Sequence, residues 1–219
     1  MGSTPEPLVA RWCGRTSFAA CLREQLETRE AIIRGEAPGT LLLVEHPPTL
    51  TLGRRAAPSD VLWSDEELAE RGVEVCETPR GGEATLHAPG QIVCYPIVSV
   101  GRQIRAHIVR LADVTSGVLR DHGVSEVEFR METPGLFTPR GKIASIGIHV
   151  SRGVTVQGIS INIAVDPTLF GSLISCGMPQ MSLASLQDFA PKESLSLESL
   201  SREWAERYAE AAGYRLRWE

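Results

Sequence analysis

Lysine is almost absent from this chain of 219 residues, which contains twenty arginines but only Lys142 and Lys192. Arginine stays protonated at any ordinary pH, whereas a buried lysine can lose its proton and act as a base. Lys142 lies in an apolar segment, 141–147, that predicts the start of a buried strand, and Lys192 lies in a segment that predicts an exposed loop. Lys142 is therefore the candidate for chemistry. The alternative is a lysine at a strand edge with its ammonium group in water, and the sequence alone leaves both open.

Several classes of protein are disfavoured by what the sequence does not contain. No stretch approaches about 18 uncharged apolar residues, so no transmembrane helix is expected. No signal peptide is expected either, because no basic segment is followed by an apolar run near the N-terminus. The net charge of −5 is mild, and no basic block indicates binding to nucleic acid. The cysteines form no Cys-x-x-Cys pair, which argues against a disulfide framework and a zinc site and favours a reducing cytoplasm; they are Cys13, Cys21, Cys76, Cys94 and Cys176.

Hydrophobic periodicity and turn residues predict an α/β fold of the α+β type. Strand candidates mostly follow one another directly and helical segments are few, which predicts a mixed, largely antiparallel sheet with helices packed on it. The length fits a single domain over residues 1–219. Helices are predicted at about 16–34, 64–71, 104–123 and 197–213, and strands at about 7–13, 40–44, 49–52, 73–77, 83–87, 92–98, 127–130, 136–138, 143–150, 154–165 and 214–218.

Two segments rich in turn residues are candidates for a binding site. Residues 45–54 place Glu45 and His46 before two prolines, and the favoured interpretation is that both side chains satisfy hydrogen bonds at an extended corner. Residues 80–91 combine an arginine, a threonine and a histidine with glycines, which let backbone N–H groups approach a ligand. Thr85 and His87 fall on one face of the predicted strand. This segment is predicted to line a pocket for a carbonyl or phosphate group, with a plain glycine-rich hairpin as the equal alternative.

Cys176 differs from the other cysteines in its surroundings. It lies between small residues in a predicted loop. The other four cysteines lie in predicted strands or helices, where a cysteine is usually a small buried side chain; they are Cys13, Cys21, Cys76 and Cys94. A reactive thiolate needs a nearby base or positive group, and Lys142 can supply either. A cysteine and a lysine in contact form an acyl-transfer pair, in which the thiolate attacks and the lysine moves the proton. Spacing alone does not establish this contact, and an inert thiol is the more common alternative.

Five motifs in a fixed order resemble those of the lipoyl(octanoyl) transferases, also called octanoyl-[acyl-carrier-protein]:protein N-octanoyltransferases or lipoate-protein ligase B. The matching segments are 45–54 (EHPPTLTLGR), 80–91 (RGGEATLHAPGQ), 142–147 (KIASIG), 152–162 (RGVTVQGISIN) and 175–177 (SCG). The resemblance implies a fold like the catalytic domain of biotin and lipoate ligases. It also implies an activity, octanoyl transfer as the first step of endogenous protein lipoylation.

The resemblance further implies the chemistry and the partners. Cys176 would carry an octanoyl thioester and Lys142 would activate it, with octanoyl-acyl carrier protein as the donor. The acceptor would be the lysine of a lipoyl domain, in 2-oxoacid dehydrogenase E2 subunits or in glycine cleavage H protein. A monomer without metal, nucleotide or redox cofactor is expected. The acyl chain would lie over Arg80, Gly81, Gly82, Glu83, Ala84, Thr85, Leu86, His87, Ser145, Ile146, Gly147, Gly158, Ile159 and Ser160.

The chain departs from the family pattern at several positions. Ala88 replaces a glycine, Gln157 replaces a histidine, Ala184 stands where threonine is common, and Leu136-Phe137 stands at a common tryptophan position. Glutamine cannot exchange a proton as histidine does, so Gln157 bears on how the oxyanion or the acceptor lysine is handled and on acyl length. Three alternatives stay open: an ATP-dependent lipoate or biotin-type ligase, a lipoyl-relay amidotransferase, and an inactive relative that binds acylated carrier proteins.

Overall fold

The computed structural model describes residues 5–173, 182–189 and 196–219. The predicted helices and strands are present there, with ends that differ from the predicted ones by at most three residues. The helices are α1 (Phe18–Ile33), α2 (Asp65–Glu70), α3 (Ile104–Asp121) and α4 (Leu197–Ala212). The strands are β1 (Pro7–Arg15), β2 (Gly39–Glu45), β3 (Thr49–Leu52), β4 (Glu74–Glu77), β5 (Ala84–His87), β6 (Gln91–Ile97), β7 (Glu128–Arg130), β8 (Gly135–Thr138), β9 (Gly141–Ser151), β10 (Val154–Asn162) and β11 (Arg215–Trp218).

Local side chains explain where several helices begin and end. The Oγ atom of Ser17 accepts a hydrogen bond from the backbone N–H of Ala20 at 3.3 Å, which caps α1. Ser64 and Glu67 form a reciprocal capping box at the start of α2. Helix α4 ends at Gly213, whose φ of 73° lies in the left-handed region that favours glycine. These short-range signals are readable in the sequence, so the helix ends agree with the predicted ones.

The larger sheet has eight strands in the order β11-β1-β2-β6-β10-β9-β8-β7. Strand β1 pairs in parallel with both β11 and β2, and the other neighbouring pairs in this sheet are antiparallel. The prediction of a mixed, largely antiparallel sheet is therefore confirmed. A hairpin joins β9 to β10, and it turns through Arg152 and Gly153 with φ angles of 48° and 79°.

A second, three-stranded sheet has the order β4-β3-β5. Pro47 and Pro48 stand between β2 and β3, and neither has a backbone N–H that could continue the ladder of the larger sheet. Beyond this corner, β3 pairs in parallel with β4 and antiparallel with β5. Sequence periodicity identifies these strands but does not say which strands pair, so the separate sheet is a finding of the structure.

Apolar side chains pack on both faces of the larger sheet. Along β2, Leu41 and Leu43 belong to the cluster that includes α3 and α4, whereas Leu42 and Val44 belong to the cluster that includes Cys21 of α1. None of these four side chains on β2 is more than 1% exposed. Burial on both faces fits the uninterrupted apolar sequence of this strand. A third cluster packs the smaller sheet against α2.

Candidate active site

A cavity of about 260 Å³ lies over the central strands of the larger sheet. Residues of β5, β6, β9 and β10 line it, together with Ile108 of α3 and the loops 80–83 and 132–134. Its volume is slightly below the usual range of small-molecule pockets, roughly 300–1,000 Å³. The predicted site residues that line this cavity are Arg80, Gly81, Gly82, Glu83, Thr85, His87, Lys142, Ser145, Ile146, Gly147, Gly158, Ile159 and Ser160.

Two predicted site residues of β5, Ala84 and Leu86, are not brought to the cavity. Both side chains are at most 1% exposed and pack in the cluster of the smaller sheet. Their neighbours Thr85 and His87 line the cavity, which confirms that these two share one face of the strand. The difference follows from strand geometry, because successive side chains point to opposite faces.

Lys142 is buried, with 1% of its surface exposed. Its backbone N–H donates to the carbonyl oxygen of Ser182 at 2.9 Å, and its carbonyl oxygen accepts from the N–H of Ala184 at 3.0 Å. Its Nζ atom lies 5.5 Å from the centre of the Phe137 ring. The alternative of a solvated lysine at a strand edge is therefore wrong. Since Lys142 also lines the cavity, a ligand that fills the cavity meets its side chain.

A β-bulge explains how Lys142 reaches the cavity. Strands β8 and β9 pair Leu136 with Ala144 but Phe137 with Lys142, so β9 carries one extra residue, Ile143, at this point. An extra residue reverses the alternation of side chains along a strand and often re-aims a side chain next to an active site. The departure at 136–137 thus lies on the strand beside Lys142, where it places a phenylalanine ring near Nζ.

Arg80 fixes the loop that borders the cavity, and it is 6% exposed. Its Nη1 atom donates to the carbonyl oxygens of Gly81 and Glu83, at 3.1 and 2.9 Å. Its Nη2 atom donates to the carbonyl and hydroxyl oxygens of Thr51, at 2.7 and 2.8 Å. Its Cδ atom lies 2.9 Å from the position that a Cβ atom on Gly147 would occupy. Arg80 therefore joins loop 80–83 to β3 and lies across β9.

Glu45 and His46 form hydrogen bonds at the proline corner, in agreement with the structural interpretation. The Oε1 atom of Glu45 accepts from the backbone N–H of Gly90 at 2.8 Å. The ring of His46 has Nδ1 2.6 Å from the carbonyl oxygen of Thr16 and Nε2 2.9 Å from the hydroxyl of Tyr95. Burial lowers the pKa of His46 to about 4, so the ring is neutral at physiological pH. Since both imidazole nitrogens have a hydrogen-bond partner, we assign His46 a structural role at this corner.

Gln157 adopts an unusual backbone conformation beside the cavity, with a φ of 63°. Its backbone N–H donates to Oε1 of Gln25 at 2.7 Å, and its side-chain amide lies 2.5 Å from the hydroxyl of Thr78. It is 2% exposed, and it pairs with Ile148, six residues along β9 from Lys142. At about 3.3 Å per residue, Gln157 lies well away from Lys142, towards the other end of the cavity. Gln157 thus lines the end of the cavity that is away from Lys142.

The described cysteines differ in burial. Cys21 and Cys94 are buried as predicted, but Cys13 and Cys76 are only half-buried, which corrects the prediction for those two. Burial raises the pKa of Cys21 to about 12 and also raises the pKa of Cys76 and Cys94, so these three thiols stay protonated and weakly nucleophilic at neutral pH. Cys176, with its motif 175–177, and Lys192 lie outside the described residues.

Some residues that line the cavity have no clear signal in the sequence. Val93 and Tyr95 belong to β6, which is buried along its whole length, so its pattern does not separate a cavity face from a core face. Ile108 is one of several apolar residues on α3, and nothing in its spacing sets it apart. Residues 132–134 form a loop whose place beside Lys142 depends on the pairing of β8 with β9.

Comparison with known proteins assigns the family. The family model of the lipoyl protein ligase A/B catalytic domain matches residues 21–209. The chain belongs to this family. An octanoyltransferase of Acidobacterium capsulatum is 35% identical over 221 residues, covering 94% of this chain and 90% of its own length. The resemblance to octanoyltransferases inferred from the five motifs is thus confirmed.

Solved structures agree with the fold of this lipoyl ligase family. A bipartite lipoate protein ligase of Thermoplasma acidophilum, solved in a study that includes its E2 lipoyl domain, superposes with a TM-score of 0.76 at 14% identity, covering 99% of this chain and 87% of that chain. A biotin protein ligase of Aquifex aeolicus superposes with a TM-score of 0.50 at 10% identity, covering 93% and 68%. At these identities the likeness concerns the fold, and the predicted likeness to the catalytic domain of biotin and lipoate ligases is confirmed.

Proposed function

We propose that this chain transfers an octanoyl group from octanoyl-acyl carrier protein to the lysine of a lipoyl domain, through a thioester on Cys176. Octanoyl transfer in lipoylation rests on relatives named octanoyltransferase, such as the 35% identical protein that this chain matches over 94% of its length. The observation that carries the chemistry is Lys142, buried at 1% exposure in the wall of a cavity. In this proposal the whole chain, 1–219, serves as one catalytic domain.

The first half of the reaction moves the octanoyl group to the enzyme. Lys142 in its neutral form takes the proton of the Cys176 thiol, and the thiolate sulfur attacks the carbonyl carbon of the octanoyl thioester. The new bond to Sγ forms as the bond to the carrier sulfur breaks. The departing thiolate takes the proton from the Lys142 ammonium, so the carrier leaves as a free thiol and the lysine is neutral again.

The second half moves the octanoyl group to the acceptor. The amine of the lipoyl-domain lysine attacks the acyl-enzyme, a C–N bond forms and the C–Sγ bond breaks. One amine proton passes to Lys142 and then to the departing Cys176 thiolate, so the products are an amide and a free thiol. Both halves are exchanges at one acyl carbonyl, so the proposed scheme contains no nucleotide, metal or redox step.

The cavity supports the proposed place of the acyl chain. It runs from Lys142 along Ser145 and Gly147 of β9 and the facing residues Gly158 and Ser160 of β10. We place the carbonyl end near Lys142 and the methyl end towards loop 80–83.

The proposed partners follow from the same family relationship. The acceptors are the lipoyl domains of 2-oxoacid dehydrogenase E2 subunits and glycine cleavage H protein, and the acting species is the monomer. A cytoplasmic site for this reaction is part of the proposal. Among the residues that the structure describes, no helix combines the length and the apolar character needed to cross a bilayer.

Intact-protein mass spectrometry tests the proposed function. The chain is mixed with octanoyl-acyl carrier protein in the absence of ATP, and a mass gain of one octanoyl group is expected. Cys176→Ala should abolish the gain, and the matched control Cys76→Ala, which changes a cysteine that does not line the cavity, should keep it. Transfer that appears only when ATP and free octanoate are added would instead identify an ATP-dependent ligase. Carrier binding without any acyl transfer would identify an inactive relative.

A further inference from the structure

His87 lies in the wall of the cavity, and it is 7% exposed. Its Nδ1 atom lies 2.7 Å from Oε1 of Gln91. Its ring packs against Phe18, with centres 5.6 Å apart, and against His46, with centres 5.4 Å apart. The ring is therefore held in place by aromatic contacts and by one hydrogen bond through Nδ1. Neither the position of the proton on the ring nor the use of Nε2 follows from these contacts alone.

A chain of hydrogen bonds determines which ring nitrogen of His87 carries the proton. The carbonyl oxygen of Ala184 can only accept, so Asn162 directs its Nδ2 group to this oxygen, at 3.1 Å. Asn162 then presents Oδ1 to Gln91, whose Nε2 group donates to it at 2.9 Å. Gln91 therefore presents Oε1 to His87, and Nδ1 of His87 must be the donor. A backbone carbonyl at one end of this chain thus sets the tautomer at the other end.

The same network places His87 near the reacting end of the cavity. Ala184, which anchors the network, donates its backbone N–H to the carbonyl oxygen of Lys142 at 3.0 Å. Asn162 directly follows Ile161, which pairs with Ala144, two residues from Lys142. The imidazole and Lys142 are therefore positioned by one connected set of bonds, and both line the cavity.

In this tautomer, the Nε2 atom of His87 carries a lone pair and no proton. No residue in the described part of the chain forms a hydrogen bond with Nε2. Burial lowers the pKa of His87 to about 3, and the neighbouring His46 and Arg80 also disfavour the protonated ring. The imidazole is thus neutral at physiological pH, and Nε2 is a hydrogen-bond acceptor on a residue of the cavity wall.

We propose that Nε2 of His87 accepts a hydrogen bond from the acceptor lysine's amine as this amine attacks the acyl-enzyme, with Gln91 and Asn162 as the positioning residues. The inference rests on the proposed function. The octanoyl chain and its thioester carbonyl have no proton to donate to Nε2, whereas the attacking amine does. A neutral amine uses its lone pair for attack and keeps two N–H groups, so one can bond to Nε2 while Lys142 receives a proton.

A single-turnover experiment on three chains separates the two halves of the reaction. The wild-type chain, His87→Phe and His87→Gln are first charged with octanoyl-acyl carrier protein and then mixed with a lipoyl domain. Mass spectrometry follows the gain and the loss of the acyl-enzyme. Phenylalanine keeps an aromatic ring but has no acceptor, whereas the glutamine amide can place an oxygen near the position of Nε2.

His87→Phe should slow discharge to the lipoyl domain by about ten- to a hundredfold more than it slows charging, the loss expected for one hydrogen bond made in the transition state. His87→Gln should recover most of the discharge rate. Equal slowing of charging and discharging in His87→Phe, or no slowing in either, would overturn the proposal. Failure of the wild-type chain to become charged would instead count against the proposed function.

The pH dependence of discharge in Gln91→Glu is a further test, because it would not change if His87 had only a packing role. A carboxylate at this position favours the imidazolium form and raises the pKa of His87. An imidazolium has no lone pair at Nε2, so the discharge rate should fall at low pH and recover as pH rises, while the wild-type rate shows no such change from this ring. A pH profile of discharge that matches the wild-type profile, in a variant that charges normally, would contradict the role of His87.

Discussion

The side chain of Arg80 lies directly over Gly147, with its Cδ atom 2.9 Å from the position of a Cβ atom on that glycine. Arg80 cannot easily move aside, because its guanidinium donates to Thr51 and Glu83 at distances between 2.7 and 2.9 Å. The contact joins loop 80–83 to β9 along the proposed course of the acyl chain. Any side chain at position 147 must therefore displace either the loop or the strand.

Gly147→Ala should strongly lower the yield of octanoyl-enzyme and lower the free energy of unfolding only modestly. The added methyl group displaces Arg80 from its hydrogen bonds and narrows the cavity, and overpacking of this kind usually costs about 1–3 kcal/mol. Urea denaturation and acyl-enzyme yield measure the two effects. Gly81→Ala is the matched control, because Gly81 lines the same cavity and a Cβ atom there meets nothing within 4 Å. Equal acyl-enzyme yields in both variants would show that the contact is unimportant.

Gly158→Ala should damage the fold itself. A Cβ atom at this position would lie 2.1 Å from the backbone oxygen of Cys94, on the neighbouring strand β6. Backbone atoms inside a sheet cannot shift as a side chain can, so β6 and β10 would have to separate. We expect a loss of several kcal/mol in the free energy of unfolding, above the roughly 1–3 kcal/mol of ordinary overpacking, and a lower melting temperature than for Gly147→Ala. A melting temperature equal to that of the wild-type chain would contradict this account.

Sequence reasoning predicted best where the signal is local. The helix ends predicted near residues 16 and 213 and the strand ends predicted at 150 and 154 depend on residues within a few positions of one another, such as the cap at Ser17 and the turn at Gly153 that the structure shows. The shared face of Thr85 and His87 follows in the same way from strand alternation. For these features, the local physical rule and the folded structure agree.

Long-range pairing explains what the sequence could not predict. The bulge that turns Lys142 into the cavity exists only because β8 and β9 pair with one residue in excess. Tyr95 and Gln91 acquire their partners from segments 49 residues earlier and 71 residues later in the chain. Periodicity carries no information on such pairs, so the hydrogen-bond network behind His87 became visible only in the structure.

Lys142→Arg should abolish octanoyl transfer. Arginine stays protonated at ordinary pH, so it cannot take the proton of a thiol and return it. The guanidinium group is also larger than the ammonium group of lysine, and it would have to fit a site in which only 1% of the Lys142 surface is exposed. Lys192→Arg is the matched control with the same chemical change. Acyl-enzyme formation measured by mass spectrometry should be lost in the first variant and kept in the second. Normal charging of Lys142→Arg would contradict the proton-transfer role.

Stability should fall on acidification, in part through His107. This histidine is 1% exposed, and neither of its ring nitrogens has a hydrogen-bond partner among the described residues. Burial lowers the pKa of His107 to about 4, from an ordinary value of 6.5. The unfolded chain therefore binds the proton more readily, and the stabilising contribution is complete above pH 6.5 and lost as pH falls towards 4.

Replacing His107 isolates this contribution from other acid-sensitive groups. His107→Leu places an apolar side chain at this core position and removes the titratable group. The difference in free energy of unfolding between variant and wild type should be constant above about pH 7. Below pH 6.5 it should shift in favour of the variant by at most about 1.4 kcal/mol per pH unit. Urea titrations at several pH values measure it, and a difference that does not change with pH would contradict the expected titration.

Gln157→Ala should widen the range of acyl groups that the chain accepts. Gln157 lies towards the end of the cavity away from Lys142, and its amide is held by Thr78. Truncation removes the side chain that fills this end, so a longer acyl chain gains space while octanoyl loses contacts. Competition between octanoyl- and dodecanoyl-acyl carrier protein, read as the ratio of the two acyl-enzymes, should shift towards dodecanoyl. Gln157→Met nearly conserves the volume and should keep the wild-type ratio. A shift in both variants would assign the effect to the lost hydrogen bond instead of to the space.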